Sequence, residues 1–397
     1  MMPARVSVTA ASEAAFPARY RRREQVRHLF GDMADRYASF YLRSDPLADA
    51  LADWMVREGE EAKRSFELAL RAGAGSVPPQ SRELRAFMDA VEAVPSWVDF
   101  EQLDRGALAY QRFGLMGMII LSAWSLINGY HSSAAVKPLA FTGQLHHRTQ
   151  RRLAETARFV SEVSQTDGLR ARQTGFTICV RVRLVHAFVR RACWESGRWQ
   201  SEAWGDPINQ ADMFGTLLEF SLLMMDGAMR LGFRVTPDER EAILALWRYC
   251  GYLSGVDEWL LSKMASERDT RHMSRLLRLV QPGPDEDSRA LTAQLLHVPR
   301  LNARGRGPAL LGIAVSRFHN GLARALNGPE ISDELGLPDD LWQHALHPVR
   351  AVLTPLELLR EQIPGASLRA SELGNRAVRS DLLRILRGVE PSFAPPV

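Results

Sequence analysis

Lysine is almost missing from this chain of 397 residues: only Lys63, Lys137 and Lys263, out of 50 basic residues, are lysine. The 46 acidic residues are mixed among the arginines along the whole sequence, which leaves a formal net charge of only +4. A nucleic-acid-binding protein usually concentrates basic residues in a stripe with exposed aromatics, or carries a recognition motif. The sequence shows neither pattern, so we expect no nucleic-acid partner.

Cysteine is also scarce, with Cys179, Cys193 and Cys250 as the three in the chain and no CxxC pair. This spacing excludes a disulfide framework and a zinc-finger site. The apolar helical sequence around the thiols predicts that all three are buried. No apolar segment follows the arginine run at 21–23, as an export signal requires, so we predict a cytoplasmic protein.

Long apolar runs are absent as well. The most apolar stretch, 113–127, has 15 residues, whereas a helix needs about 20 to cross a bilayer. We therefore predict a buried core helix there and no transmembrane segment.

Several common catalytic motifs are missing. The sequence has no GxSxG, no Walker A loop and no HExxH, which argues against serine hydrolases of that type, P-loop enzymes and zincins. The glycines at 305–312 lack the spacing of a dinucleotide-binding turn. None of the ten histidines has a glutamate three residues before it, as a di-iron helical bundle would need.

Helical periodicity dominates from Arg22 to about Leu326, and no alternation of apolar and polar residues persists long enough for a sheet. The sequence therefore predicts an all-α fold in one large helical domain. We divide the chain into an N-terminal arm and first helix (1–40), a helical domain (41–330) and a C-terminal helical extension with a loose tail (331–397). Ser96 with Asp99 has the form of a capping box, and Thr236 before Pro237 is a typical helix start.

One helix, predicted at 176–192, carries a single imidazole, His186, on an otherwise apolar face, with Arg183 one turn before it. Two interpretations stay open. The histidine is either a core residue satisfied by a backbone carbonyl, or an axial haem ligand whose neighbour Arg183 pairs with a haem propionate.

A second helix, at 148–162, places Arg152, Glu155, Thr156 and Phe159 on one face, because they are spaced i, i+3, i+4 and i+7. If that face is exposed to solvent, Arg152 and Glu155 form an ordinary surface ion pair. If it faces a cavity, they supply a cation and a carboxylate above a bound oxidant.

Six segments occur together in one order and spacing, which resembles the rubber oxygenase (latex clearing protein) family, including the MpaB-type oxygenases. The resemblance covers roughly 44–256. The segments are 94–106, 128–143, 151–159 (RRLAETARF), 181–191 (RVRLVHAFVRR), 204–213 (WGDPINQADM) and 246–256.

The resemblance implies a globin-like helical core that holds a b-type haem. His186 matches the proximal iron ligand, and Arg152 and Thr156 match residues that the family places over the haem. Glu155 stands where rubber oxygenases carry a lysine able to reach the iron's sixth position. Lys137 is a second candidate for approaching the iron, because a lysine can ligate or deprotonate where arginine cannot.

The function that this resemblance implies is a haem-dependent oxygenase, with dioxygen and an apolar small molecule of prenyl-like or alkene type as its partners. Because we predict no export, polyisoprene rubber is not the expected substrate. The apolar stretch 113–127 and the methionine-rich run 220–229 are candidate pocket walls. The alternatives are a haem peroxidase or peroxygenase, and a non-catalytic protein that binds haem or another small ligand.

Overall fold

The computed structural model describes residues 16–78, 81–141, 149–303 and 309–386. Every regular element in these ranges is helical, with no strand among them, so the all-α prediction is confirmed. Three short 3-10 turns and two π-helical turns interrupt the α-helices.

Ten α-helices make up the first part of the fold. They are α1 (Arg23–Phe30), α2 (Asp32–Ser39), α3 (Pro46–Glu58), α4 (Glu60–Ala72), α5 (Arg82–Glu92), α6 (Phe100–Gln111), α7 (Gly114–Ile120), α8 (Leu126–Tyr130), α9 (Ser133–Phe141) and α10 (Thr149–Val163).

Eleven more follow in the described part of the chain. They are α11 (Thr174–Glu195), α12 (Ser201–Trp204), α13 (Gln210–Leu218), α14 (Met224–Leu231), α15 (Pro237–Leu253), α16 (Glu258–Ser262), α17 (Glu267–Val280), α18 (Glu286–Ala303), α19 (Ala309–Leu335), α20 (Leu346–Gln362) and α21 (Ala366–Ile385).

Capping residues set the start of two helices that the sequence predicted. Thr236 accepts a hydrogen bond from the backbone N–H of Glu239, whose side chain accepts one in return from the Thr236 N–H, so this capping box is confirmed. The Ser96 box is wrong, because Asp99 itself caps α6 by accepting from the N–H groups of Glu101 and Gln102. The aspartate can do so because its carboxylate is next to the first helical residue.

The centre of the core joins α10, α15 and the second π turn through aromatic rings. Phe220 stacks on the indole of Trp247 with 5.3 Å between ring centroids, and Phe159 lies 6.2 Å from the same indole. Helices α6 and α15 approach closely, because Gly106 has no Cβ to collide with the backbone carbonyl of Ala242. This packing holds α10 against the interior of the molecule.

Two π turns interrupt helices near the middle of the fold, at Leu121–Ser125 and Glu219–Leu223. They pack against each other, and the hydroxyl of Ser125 donates to the backbone carbonyl of Glu219 over 2.6 Å. The first π turn breaks the apolar stretch 113–127 into α7 and α8. The side chains of the turn itself are buried as predicted, whereas Leu115 of α7 is 43% exposed. Such turns often occur at functional sites, because the extra residue redirects a side chain.

The C-terminal helices pack on the rest of the helical body. Helix α21 contacts α6, α7 and α10, and the predicted domain boundary at 330 falls inside α19. The division into three regions therefore stays a prediction. At the other end, Arg19 is joined to Asp212 of α13 by two hydrogen bonds of 2.6 Å.

Among the described residues, no single helix has the length and apolar composition to cross a membrane. The pair Phe100–Gln111 and Gly114–Tyr130 reaches that length and composition only together, and it is bent by 86°.

Candidate functional site

His186 lies on α11, the helix of 22 residues whose interior side chains form part of the main core. Burial, with the charge of Arg190 second, lowers the pKa of His186 to about 4, so the imidazole is neutral at physiological pH. Its Nδ1 atom is enclosed and has no hydrogen-bond partner in the described structure. The residue is nevertheless only half-buried. Its side chain is thus surrounded by protein atoms without being fully enclosed.

These features bear on whether the residues present fit a haem. Neutral imidazole is the form that binds iron, and a core histidine would be expected to have a hydrogen-bond partner. No group of three or more potential metal ligands occurs among the described residues. A single-histidine iron site is compatible with this arrangement.

The arginines of α11 are all engaged by carboxylates. Arg183 is buried and makes two hydrogen bonds to Asp45, of 2.6 Å from Nε and 3.0 Å from Nη2. Arg190 binds Asp49, and Arg181 binds Glu67. The guanidinium of Arg183 thus already has a carboxylate partner through Nε and Nη2, and its role as a propionate partner stays a prediction.

Helix α10 carries the three predicted catalytic residues Arg152, Glu155 and Thr156, all half-buried. Glu155 pairs with Arg151, over 2.9 Å, and not with Arg152 as the face pattern indicated. The i, i+4 spacing explains this choice, because it brings long side chains together along the helix surface. Arg152 is left with no carboxylate within ion-pair distance among the described residues.

Tyr130, the last residue of α8, links Arg152 to a carboxyl group that the sequence analysis missed. Burial raises the pKa of this phenol to about 12, while the charge of Arg152 acts to lower it and that of Glu219 to raise it. Like His186, Tyr130 lies deep yet keeps accessible surface. Arg152 and Glu219 are thus both near enough to Tyr130 for their charges to act on its phenol.

Glu219 begins the second π turn. Burial, with the charge of Asp212 second, raises the pKa of Glu219 to about 8. The sequence held a signal for this residue, because it is the one acid in the apolar run from 213 to 225. The other polar side chains of that run are the hydroxyl groups of Thr216 and Ser221.

The remaining candidates lie elsewhere. Lys137 donates to both Asp285 and Asp287 over 2.5 Å and lies near the indole of Trp204, so it has two carboxylate partners and the proposed approach to iron is not supported. Met224 and Met225 are fully buried in the core. Met116, from the stretch 113–127, lines an apolar groove of about 830 Å³ that contains none of the predicted site residues.

Fold and site together define an all-helical protein with a neutral histidine whose Nδ1 lacks a hydrogen-bond partner, and with an arginine and a glutamate whose charges act on one tyrosine. A family model described as ER-bound oxygenase mpaB/B'/Rubber oxygenase, catalytic domain, matches residues 110–356. The chain belongs to this family, which confirms the resemblance found in the sequence. The matched range contains Tyr130, Arg152, His186 and Glu219.

Two further similarities agree with this assignment. The Rubber oxygenase of Streptomyces sp. (strain K30) is 27% identical over 259 residues, which are 64% of this chain and 60% of that protein. The chain thus matches less than two thirds of its curated relative. A solved structure of latex clearing protein LCP in the closed state superposes with a TM-score of 0.58 at 21% identity, covering 90% of this chain and 93% of that one. At this identity the structural match shows the shared fold.

Proposed function

We propose that the protein is a b-type haem-dependent oxygenase that uses dioxygen to oxidise an apolar, alkene-containing small molecule. The observation that carries this proposal is His186: a neutral imidazole in the helical core, half-buried, whose Nδ1 has no hydrogen-bond partner among the described residues. Membership of an oxygenase family supplies the reaction class.

His186 is the residue that would hold the iron. Its accessible nitrogen is Nε2, because Nδ1 is enclosed by protein. When bound, haem supplies the oxygen chemistry, which no side chain of the protein provides by itself. The ion pair between Arg183 and Asp45, one turn away, holds α11 against α3 and so fixes the orientation of the imidazole.

On α10, Arg152 is the cation available for an anionic or strongly polar group bound near it. Its guanidinium lacks a carboxylate partner in the described structure, whereas Arg183 has one. We assign Arg152 and Thr156 to orienting the oxygen-bearing reactant, and Glu155 to the entrance of the site, because its carboxylate pairs with an arginine whose side chain is 63% exposed.

The substrate class follows from the family and from the walls of the core. The curated relative is named for rubber, a hydrocarbon polymer with repeated double bonds. Phe159, Phe220 and Trp247 pack against one another between α10, α15 and the second π turn, and Phe159 and Phe220 remain half-buried. Apolar walls of this kind favour a hydrocarbon over a charged substrate.

The test is oxygen uptake by the haem-loaded protein in the presence of short isoprenoid alkenes, with product analysis by mass spectrometry. We expect oxygen consumption that depends on the alkene, and products that contain oxygen atoms from labelled dioxygen. Arg152→Ala should reduce the rate while haem content is retained. A rate that needs peroxide and ignores dioxygen would contradict the proposal and favour a peroxygenase.

A further inference from the structure

Glu219 is held in place by backbone features around it. A Cβ added to Gly129 would lie 2.5 and 2.6 Å from the two carboxylate oxygens, so the carboxyl group rests directly against this glycine. The π turn at Glu219–Leu223 and the hydrogen bond from Ser125 to the Glu219 carbonyl fix the backbone from which the side chain extends. The position is therefore specified by the fold.

The carboxyl group has no hydrogen-bond donor within reach among the described residues, although it lies deep in the protein. Its oxygen atoms are not among the fully enclosed polar atoms, and the side chain keeps accessible surface. A buried acid is normally paired or hydrogen-bonded, since an uncompensated charge in a core is costly. An acid that lacks such partners and is not fully enclosed is free to interact with a bound molecule.

The charges around Glu219 explain why no cation neutralises it. Asp212 of α13 is the acidic residue whose charge acts on the pKa of Glu219, and Asp212 is itself bound to Arg19. The other charged groups on the packed helices point to other partners: Asp226 to Arg271, Arg230 to the indole of Trp124, and Arg248 to the indole of Trp97. The phenol of Tyr130 is near enough to feel the charge of Glu219, and the charge of Arg152 acts on the same phenol.

We propose that Glu219 is the proton-holding residue of this site: neutral at rest, it gives its carboxyl proton to an oxygen atom of the molecule bound between it and Arg152. In this step the carboxyl O–H bond breaks, a new O–H bond forms on the acceptor, and the negative charge stays on the carboxylate. The step involves no oxidation or reduction, and a proton from water restores the acid. This role rests on the proposed function, because the oxygen-bearing acceptor belongs to that reaction.

Infrared difference spectroscopy tests the assignment directly. Spectra of the purified protein are compared well below and well above the pKa of about 8, in normal and in heavy water. We expect one protonated-carboxyl band that shifts in heavy water and disappears as the pH rises. The band should be missing in Glu219→Gln and should remain in Glu357→Gln, which removes another buried acid, one bound to Arg360.

A second pair of variants tests the position. Gly129→Ala places a methyl group where the carboxyl group lies, so the band should move or its midpoint should fall towards that of an ordinary glutamate. Gly75→Ala adds a methyl group that meets no atom within 4 Å and should leave the band unchanged. A band that survives Glu219→Gln, or that Gly129→Ala leaves untouched, overturns the assignment.

The same measurement separates this inference from the proposed function. A Glu219-dependent band in a protein that binds no haem supports the protonated state of Glu219 but contradicts the oxygenase proposal. A haem-loaded, alkene-oxidising protein without the band supports the oxygenase proposal and overturns the role of Glu219.

Discussion

Arg183 and Asp45 form a buried, bidentate ion pair one helical turn from His186. Asp45 also caps α3 by accepting from the N–H of Ala48, so one carboxylate serves two helices. Gly255 lies over the pair with φ of +83°, and any Cβ there would collide with both side chains. The pair thus fixes α11, and with it the imidazole, against the N-terminal part of the core.

Breaking this pair should be strongly destabilising. Asp45→Ala leaves a buried guanidinium without a partner and should lower the free energy of unfolding by about 3–5 kcal/mol, measured by urea denaturation. Asp45→Asn leaves the same charge unpaired but keeps the cap, so it should be about 1 kcal/mol less damaging.

The matched control for this pair is Glu83→Ala. Its carboxylate binds Arg57 at 3.0 Å on the surface, where both side chains are substantially exposed, and its loss should cost less than about 1 kcal/mol. If Asp45→Ala were no more damaging than this control, the pair would not hold α11 in place.

Glu155 is expected to act on ligand exchange rather than on stability or haem content. Glu155→Ala removes a half-exposed carboxylate whose ion pair contributes only about 0.5 kcal/mol, so haem should remain bound. The rate of carbon monoxide binding to the reduced protein should change, as flash photolysis can measure. Arg151→Ala breaks the same ion pair but keeps the carboxylate. Identical rates of carbon monoxide binding in Glu155→Ala and Arg151→Ala would show that the ion pair, and not the carboxylate itself, affects ligand exchange.

The raised pKa of Glu219 has a consequence for stability. In the folded state this acid keeps its proton up to a pKa of about 8, whereas in the unfolded chain it loses it near the ordinary value of 4.5. Its contribution is therefore fully present below 4.5 and is lost as the pH rises through 8. Glu219→Gln removes this loss. The free energy of unfolding of the variant, relative to that of the parent, should therefore rise by roughly 2–4 kcal/mol from acidic to alkaline conditions.

Urea denaturation of both proteins across this pH range checks the sign. Glu357→Gln serves as the control, because the Glu357 carboxylate is bound to Arg360 and to the N–H of Arg234. A difference between Glu219→Gln and the parent that stays constant with pH would contradict a neutral Glu219.

The sequence predicted local structure and missed two long-range relationships. The helical periodicity, the cap at Thr236 and the apolar surroundings of His186 are local properties, and the structure agrees with them. The pairing of Arg183 with Asp45 joins residues 138 positions apart, so no helix-face pattern contained it. Glu219 was missed for a related reason: its significance depends on Gly129 and Tyr130, which only the packing of the two π turns brings near it.

Lys137 shows the limit of an argument from composition. Lysine is rare in this arginine-rich chain, which made Lys137 a candidate, but the rarity of a residue type does not predict which groups its side chain contacts. In the structure its ammonium group lies between two aspartates of the region around α18, where an arginine would also find partners.

The most direct test of the central claim is the haem content of His186→Ala, measured by pyridine haemochrome assay and by the absorption spectrum with and without carbon monoxide. His319→Ala is the matched control. His319 is also a buried helical histidine, and burial lowers its pKa to about 4, but its ring is hydrogen-bonded to the hydroxyl of Ser122. We predict that the parent protein and His319→Ala bind one haem each and that His186→Ala binds none stoichiometrically. Normal haem content in His186→Ala, or a parent protein that stays colourless after reconstitution with haem, would contradict the account.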